Sequence, residues 1–175
     1  MKSNLLLIWF IQAFLLDSLH VFAQTMDLSM NQVTFQDMTM KLYPKDTSAN
    51  AVVLNELGQA HISDISSQGL IFERYMKIKI LKRGGFDHGT FAIRLQKNDN
   101  NTSESFASVK ASTYNMVNGS MKETKMDPKS FFISDDYKYS SLATFTLPDI
   151  REGSVIEVLY QINSPFTFNF REWEF

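Results

Sequence analysis

His61 and Asp64 stand three residues apart, a spacing that on a helix would bring an imidazole and a carboxylate to one metal ion. On a strand the same spacing sends them to opposite faces, and their neighbours follow a strand pattern, so no metal site is expected. Asp87-His88 falls among glycines, where a turn-capping role suits both side chains. Serines are numerous enough to complete a Ser-His-Asp triad by count, yet no G-x-S-x-G elbow is there to expose one as a nucleophile. Glycoside chemistry needs two converging carboxyl groups about 5–10 Å apart. Asp135-Asp136 are adjacent and read as a solvated loop. Gly84-Gly85 lacks the lysine and the strand–loop–helix setting of a phosphate loop. The chain has no cysteine, which removes thiol nucleophiles, thiolate zinc sites and redox switching. The expectation is a non-enzyme, with no catalytic residue, no metal and no cofactor.

Binding is the other chemistry these side chains could do. Tyr137, Tyr139 and Trp173 could form an aromatic platform for sugar rings; the competing reading has them covering core or a domain interface. The formal net charge is −2 with both signs interspersed, so no nucleic-acid partner is expected.

The elements that must position these residues begin with an export signal. Lys2 is followed by an apolar run over residues 5–16, and Val21-Phe22-Ala23 precede Gln24 as a cleavage site should. The run is short of the roughly twenty residues a membrane span needs, so residues 1–23 read as a cleavable signal peptide, cut between Ala23 and Gln24. An uncleaved anchor or a buried helix is the alternative. Export to the periplasm, cell surface or exterior is expected, with no membrane attachment after cleavage.

Residues 24–32 read as a flexible lead. Thr34-Phe35-Gln36-Asp37 resembles a capping box at the start of a helical turn, although Met38, Met40 and Leu42 alternate as in a strand. From Ala51 onward the period is two: one short strand ends at Gly58 and a second runs on to Ile65. Across 70–82, Met76, Ile78 and Ile80 face one way, while Lys77 and Lys79 face the other and should be solvated. Asn118-Gly119 is a strong hairpin signal, because both central residues of a type I′ turn need positive φ. In the last strand Ile156, Val158, Tyr160 and Ile162 form the buried face, opposite Val155, Glu157, Leu159 and Gln161. About eight strands at spacings near ten residues predict an all-β, antiparallel β-sandwich over 33–165, with a barrel as the alternative. Five aromatic residues crowd 166–175, which reads as the start of a linker or next domain, or else as a tail folding back onto the sandwich.

Met40-Lys41-Leu42-Tyr43-Pro44-Lys45-Asp46-Thr47-Ser48-Ala49, with Ala51-Val52-Val53-Leu54 after it, resembles the opening of a bacterial domain of unknown function. That domain precedes the catalytic core in exported transglutaminase-like proteins. Arg74-Tyr75-Met76-Lys77-Ile78-Lys79-Ile80-Leu81, Lys110-Ala111-Ser112-Thr113-Tyr114-Asn115, Gly153-Ser154-Val155-Ile156-Glu157 and Ser164-Pro165-Phe166 leading to Trp173 carry the likeness along the chain. The resemblance implies a β-sandwich followed by a papain-like core with Cys, His and Asp. None of those positions maps here, so the chain resembles the accessory part, with the downstream core as its partner. A stand-alone periplasmic or surface module for cell-envelope glycans or peptides is the alternative reading, and an enzyme in its own right the third.

Overall fold

The computed structural model describes residues 28–62, 69–100 and 102–167. Alternating side chains build eight strands: β1 (Ala51–Ile62), β2 (Leu70–Ile80), β3 (Thr90–Gln96), β4 (Ser105–Val117), β5 (Ser120–Lys125), β6 (Phe131–Tyr137), β7 (Ser140–Thr146) and β8 (Val155–Ser164). They form a five-stranded sheet in the order β1-β2-β8-β4-β5 and a three-stranded sheet in the order β3-β7-β6, with every pairing antiparallel. The fold is therefore an all-β sandwich of two open sheets, not a barrel. The residues read as a signal peptide, with Ala23 and Gln24, together with Asp64 and residues 168–175 of the aromatic tail, Trp173 among them, lie outside the described residues.

Between the sheets lies one apolar core. β2 supplies Phe72, Met76, Ile78 and Ile80, and β8 supplies Ile156, Val158, Tyr160 and Ile162. The smaller sheet answers with Leu95, Ala143 and Phe145. Phe145 is fully buried, stacked on Phe91 at 5.0 Å and on Phe131 at 6.2 Å, with Phe106 edge-on at 6.5 Å. Such ring pairs add specificity to the area they bury.

Local chemistry sets the connections. Thr34 and Asp37 do form a reciprocal capping box, and the helix α1 (Phe35–Thr39) follows it, so the strand alternative there does not hold. Asn118 and Gly119 take φ of 51° and 78° in the β4–β5 turn, as the dipeptide requires. β2 ends where the chain enters a 3-10 turn over Arg83–Gly89. A Cβ on Gly85 would lie 2.5 Å from the Asn50 carbonyl oxygen, so that turn can pack only with a bare backbone.

Two expectations about elements need correction. The two short strands either side of Gly58 are one strand, β1, because Gly58 stays in register opposite Arg74 and the ladder with β2 runs through it. Asp135 and Asp136 lie on β6, not in a loop, each paired with a cation from the β3 side: Lys97 and Arg94.

Replacing Phe145 by alanine removes the ring on which three others pack. The expected loss is about 3–5 kcal/mol in guanidinium denaturation at unchanged slope, a large fraction of a domain's stability.

Candidate functional site

The outer face of the five-stranded sheet is where sequence reading and structure part. Lys77, Lys79 and Glu157 all point there, as period two demands, yet Lys79 and Glu157 are fully buried and Lys77 nearly so. The face is covered by residues 31–39, which cross it as a strap. Val33 and Met38 of the strap pack against Tyr114 and Val155 in a second, smaller apolar cluster. The expected solvated face is thus a second buried layer.

Polar groups bind the strap. The Glu157 carboxylate accepts the backbone N–H groups of Asn31 at 2.9 Å and Gln32 at 2.8 Å. It also accepts the phenol hydroxyls of Tyr75 at 2.8 Å and Tyr114 at 2.9 Å. Each carboxylate oxygen takes one amide and one phenol. Lys79 Nζ donates to the carbonyls of Met38 at 2.8 Å and Gly153 at 2.6 Å, tying the end of α1 to the turn before β8. Lys77 Nζ donates to the Gln32 carbonyl at 2.9 Å and to Asp37 at 2.8 Å. Asp37 therefore serves twice, accepting Thr34 N–H within the capping box and Lys77 across the interface.

These surroundings move the titrations. Burial works against the charged form of Asp37, but Lys77 and both Thr34 contacts outweigh it and hold the carboxyl below its ordinary value. Burial pulls the Lys79 ammonium down to about 8, opposed by the charge of Asp37. The phenols of Tyr75 and Tyr114 are pushed well above their ordinary range, first by burial and then by Glu157.

The residues singled out from sequence are scattered by comparison. Tyr137 and Tyr139 are both exposed, at 69% and 49%, at the β6–β7 hairpin. They do not cover core: Arg94 lies 5.7 Å from the Tyr137 ring centre and Lys138 lies 4.6 Å from that of Tyr139. His61 is exposed on β1. Asp87 and His88 sit in the 3-10 turn, but neither side chain makes a capping hydrogen bond among the described residues; the cap there is the Thr90 N–H on the Asp87 carbonyl. No group of three metal-ligating side chains converges among the described residues. Sequence reading missed the clamp because its donors on the strap are backbone groups, and any residue carries those. Tyr75 and Tyr114 standing on the supposedly wet face were the available signal.

Glu157→Gln keeps the shape and turns one acceptor oxygen into a donor facing donors. It is expected to cost about 2–4 kcal/mol and to raise amide exchange at Asn31 and Gln32, read by hydrogen-exchange NMR. The pH dependence has a definite sign. Below about pH 8 both folded and unfolded chains keep the Lys79 proton; above it the folded chain gives up its proton first. The unfolded chain then binds more protons, so stability rises with pH towards the ordinary lysine value. Above about pH 10 the unfolded tyrosines ionise first, and Tyr75 and Tyr114 reverse the trend. Urea titrations are expected to show a stability maximum near pH 10 in the native chain, with the rise from pH 8 absent in Lys79→Met.

Among comparisons with known proteins, no family model matches the chain and no curated protein matches it. One solved structure that it resembles is a proposed protease from Parabacteroides distasonis, 13% identical, with a TM-score of 0.41. The match covers 57% of this chain and 20% of that one, so the chain spans about a fifth of that protein's length.

Proposed function

We propose that this chain is a non-catalytic interaction domain, the N-terminal accessory part of an exported transglutaminase-like protein whose Cys-His-Asp core follows in the same polypeptide. The observation that carries the non-catalytic reading is the employment of the buried charged groups. Glu157, Lys79, Lys77 and Asp37 each hold the strap to the sheet, so none of them projects into an open cleft as a general acid, base or nucleophile. The family part of the reading is supported by the sequence likeness along the mature chain, and export by the charged, apolar and small-residue order of residues 1–23.

A second reading, a stand-alone envelope glycan- or peptide-binding module, draws on the exposure of Tyr137 and Tyr139. Stacking on a sugar needs an open ring face, and Arg94 and Lys138 each approach one ring. That leaves less aromatic surface than a platform would use.

The reading frame beyond codon 175 separates the two. It is expected to continue into a segment bearing Cys, then His and Asp; a stop codon directly after Phe175 would overturn the transglutaminase assignment. On a glycan array the purified chain is expected to give no signal. Binding that disappears in Tyr137→Ala would transfer the function to the second reading.

A further inference from the structure

β5 covers only part of β4. Their pairing runs from Ser112 opposite Lys125 to Val117 opposite Ser120, whereas β4 pairs with β8 from Ser105 onward. Among the described residues, 105–111 therefore have a strand neighbour on one side only. The Met126 N–H reaches the Ala111 carbonyl from the β5 side at 2.8 Å, which sets the phase of that free edge. Residues of the same parity direct both backbone groups to it. Val109 is the next such residue upstream, and its N–H and C=O meet no backbone partner beyond β5 among the described residues.

A cleft of about 530 Å³ opens in front of this edge. Val109, Ala111, Met126 and Phe131 line it on the side of the sandwich core. Lys110 and Lys125 line it on the side of the outer face, and neither makes an ion pair among the described residues. Glu123, the carboxylate on the cleft wall, is held at 2.7 Å by the Ser112 hydroxyl.

We propose that this edge accepts an extended peptide of alternating apolar and acidic residues as an added strand, with apolar side chains towards Phe131 and Met126 and acidic ones towards Lys110 and Lys125. The proposal rests on the reading of the chain as an interaction domain and gives that domain a partner class. Strand addition takes its affinity from main-chain hydrogen bonds and its selectivity from alternate side chains. A second copy of the chain is disfavoured at the same place, because edge-to-edge pairing would set lysine against lysine, the usual guard of an open edge. The bulge between Phe106 and Ser108 ends the regular ladder, so the added strand is short.

The test uses the full chain with three capped pentapeptides: Val-Glu-Val-Glu-Val, its Val-Lys-Val-Lys-Val counterpart, and the acidic peptide N-methylated at alternate residues. Amide shifts in NMR titration are expected at Val109, Lys110 and Ala111 with the acidic peptide alone. The exposed double variant Lys110→Glu/Lys125→Glu is expected to exchange the preference, binding the basic peptide at least tenfold more tightly than the acidic one. Equal binding of both peptides, survival of binding after N-methylation, no shifts at millimolar peptide, or concentration-dependent dimerisation through this edge would each overturn the proposal. The reading-frame result stands apart from all of them, so failure here leaves the accessory-domain assignment to be judged on its own evidence.

Discussion

The outer half of this molecule depends on how one buried carboxylate is satisfied. Moving a carboxylate out of water costs several kcal/mol even after the protein relaxes. Glu157 is fully buried and meets that cost with four donors, two amides and two phenols, none of which carries a charge. Two donors, Tyr75 on β2 and Tyr114 on β4, come from the strands flanking β8. They orient the carboxylate within the sheet itself. The other two come from the strap, so the carboxylate is fully paired only when residues 31 and 32 lie across it. Detaching the strap would hand two of the four donors' places to water and uncover the apolar contact of Val33 and Met38, so hydrogen bonds and buried area together hold so short a segment.

The lysines complete the same logic with the opposite sign. Lys79 donates to the Met38 carbonyl in the last turn of α1, which the helix itself does not satisfy, and Lys77 to the Gln32 carbonyl ahead of the helix. Cation and anion thus grip complementary halves of one backbone: carbonyls by Nζ, amides by Glu157. Val33 and Met38 add the apolar contact between those points. The result is a sandwich with a third, thin layer on its larger sheet, fixed by hydrogen bonds to buried charged groups and by the apolar area between them.

This arrangement explains what could be read in the sequence and what could not. Period two correctly assigned which side chains of β2 and β8 share a face, and Asn118-Gly119 and Thr34-Asp37 announced a turn and a cap through their own side chains. Alternation says nothing about what lies on each face. Lys77, Lys79 and Glu157 have the composition of a wet surface, and the segment that dries them begins in residues 31 and 32, read from sequence as part of a flexible lead. Apart from Asp37, Val33 and Met38, it binds through amides and carbonyls, which leave no trace in residue type. Gly58 misled in the other direction: glycine is a weak strand former, but a residue in the middle of a ladder can borrow its conformation from the partner strand.

The strap and the free edge of β4 are also neighbours, with a physical consequence. Asn31 lines the cleft beside β4 and at the same time gives its amide to Glu157. Tyr114, which holds the other side of that carboxylate, reaches Asn31 and Glu123 with the same hydroxyl, both at 3.4 Å. A strand seated in the cleft therefore touches a residue whose position is set by the buried network. Linkage runs both ways: whatever stabilises the docked strap shapes the cleft wall, and an occupant of the cleft that contacts Asn31 stabilises the docked strap by the same free energy. The buried charges, which perform no chemistry in this reading, thereby keep a binding edge in register with the layer beside it.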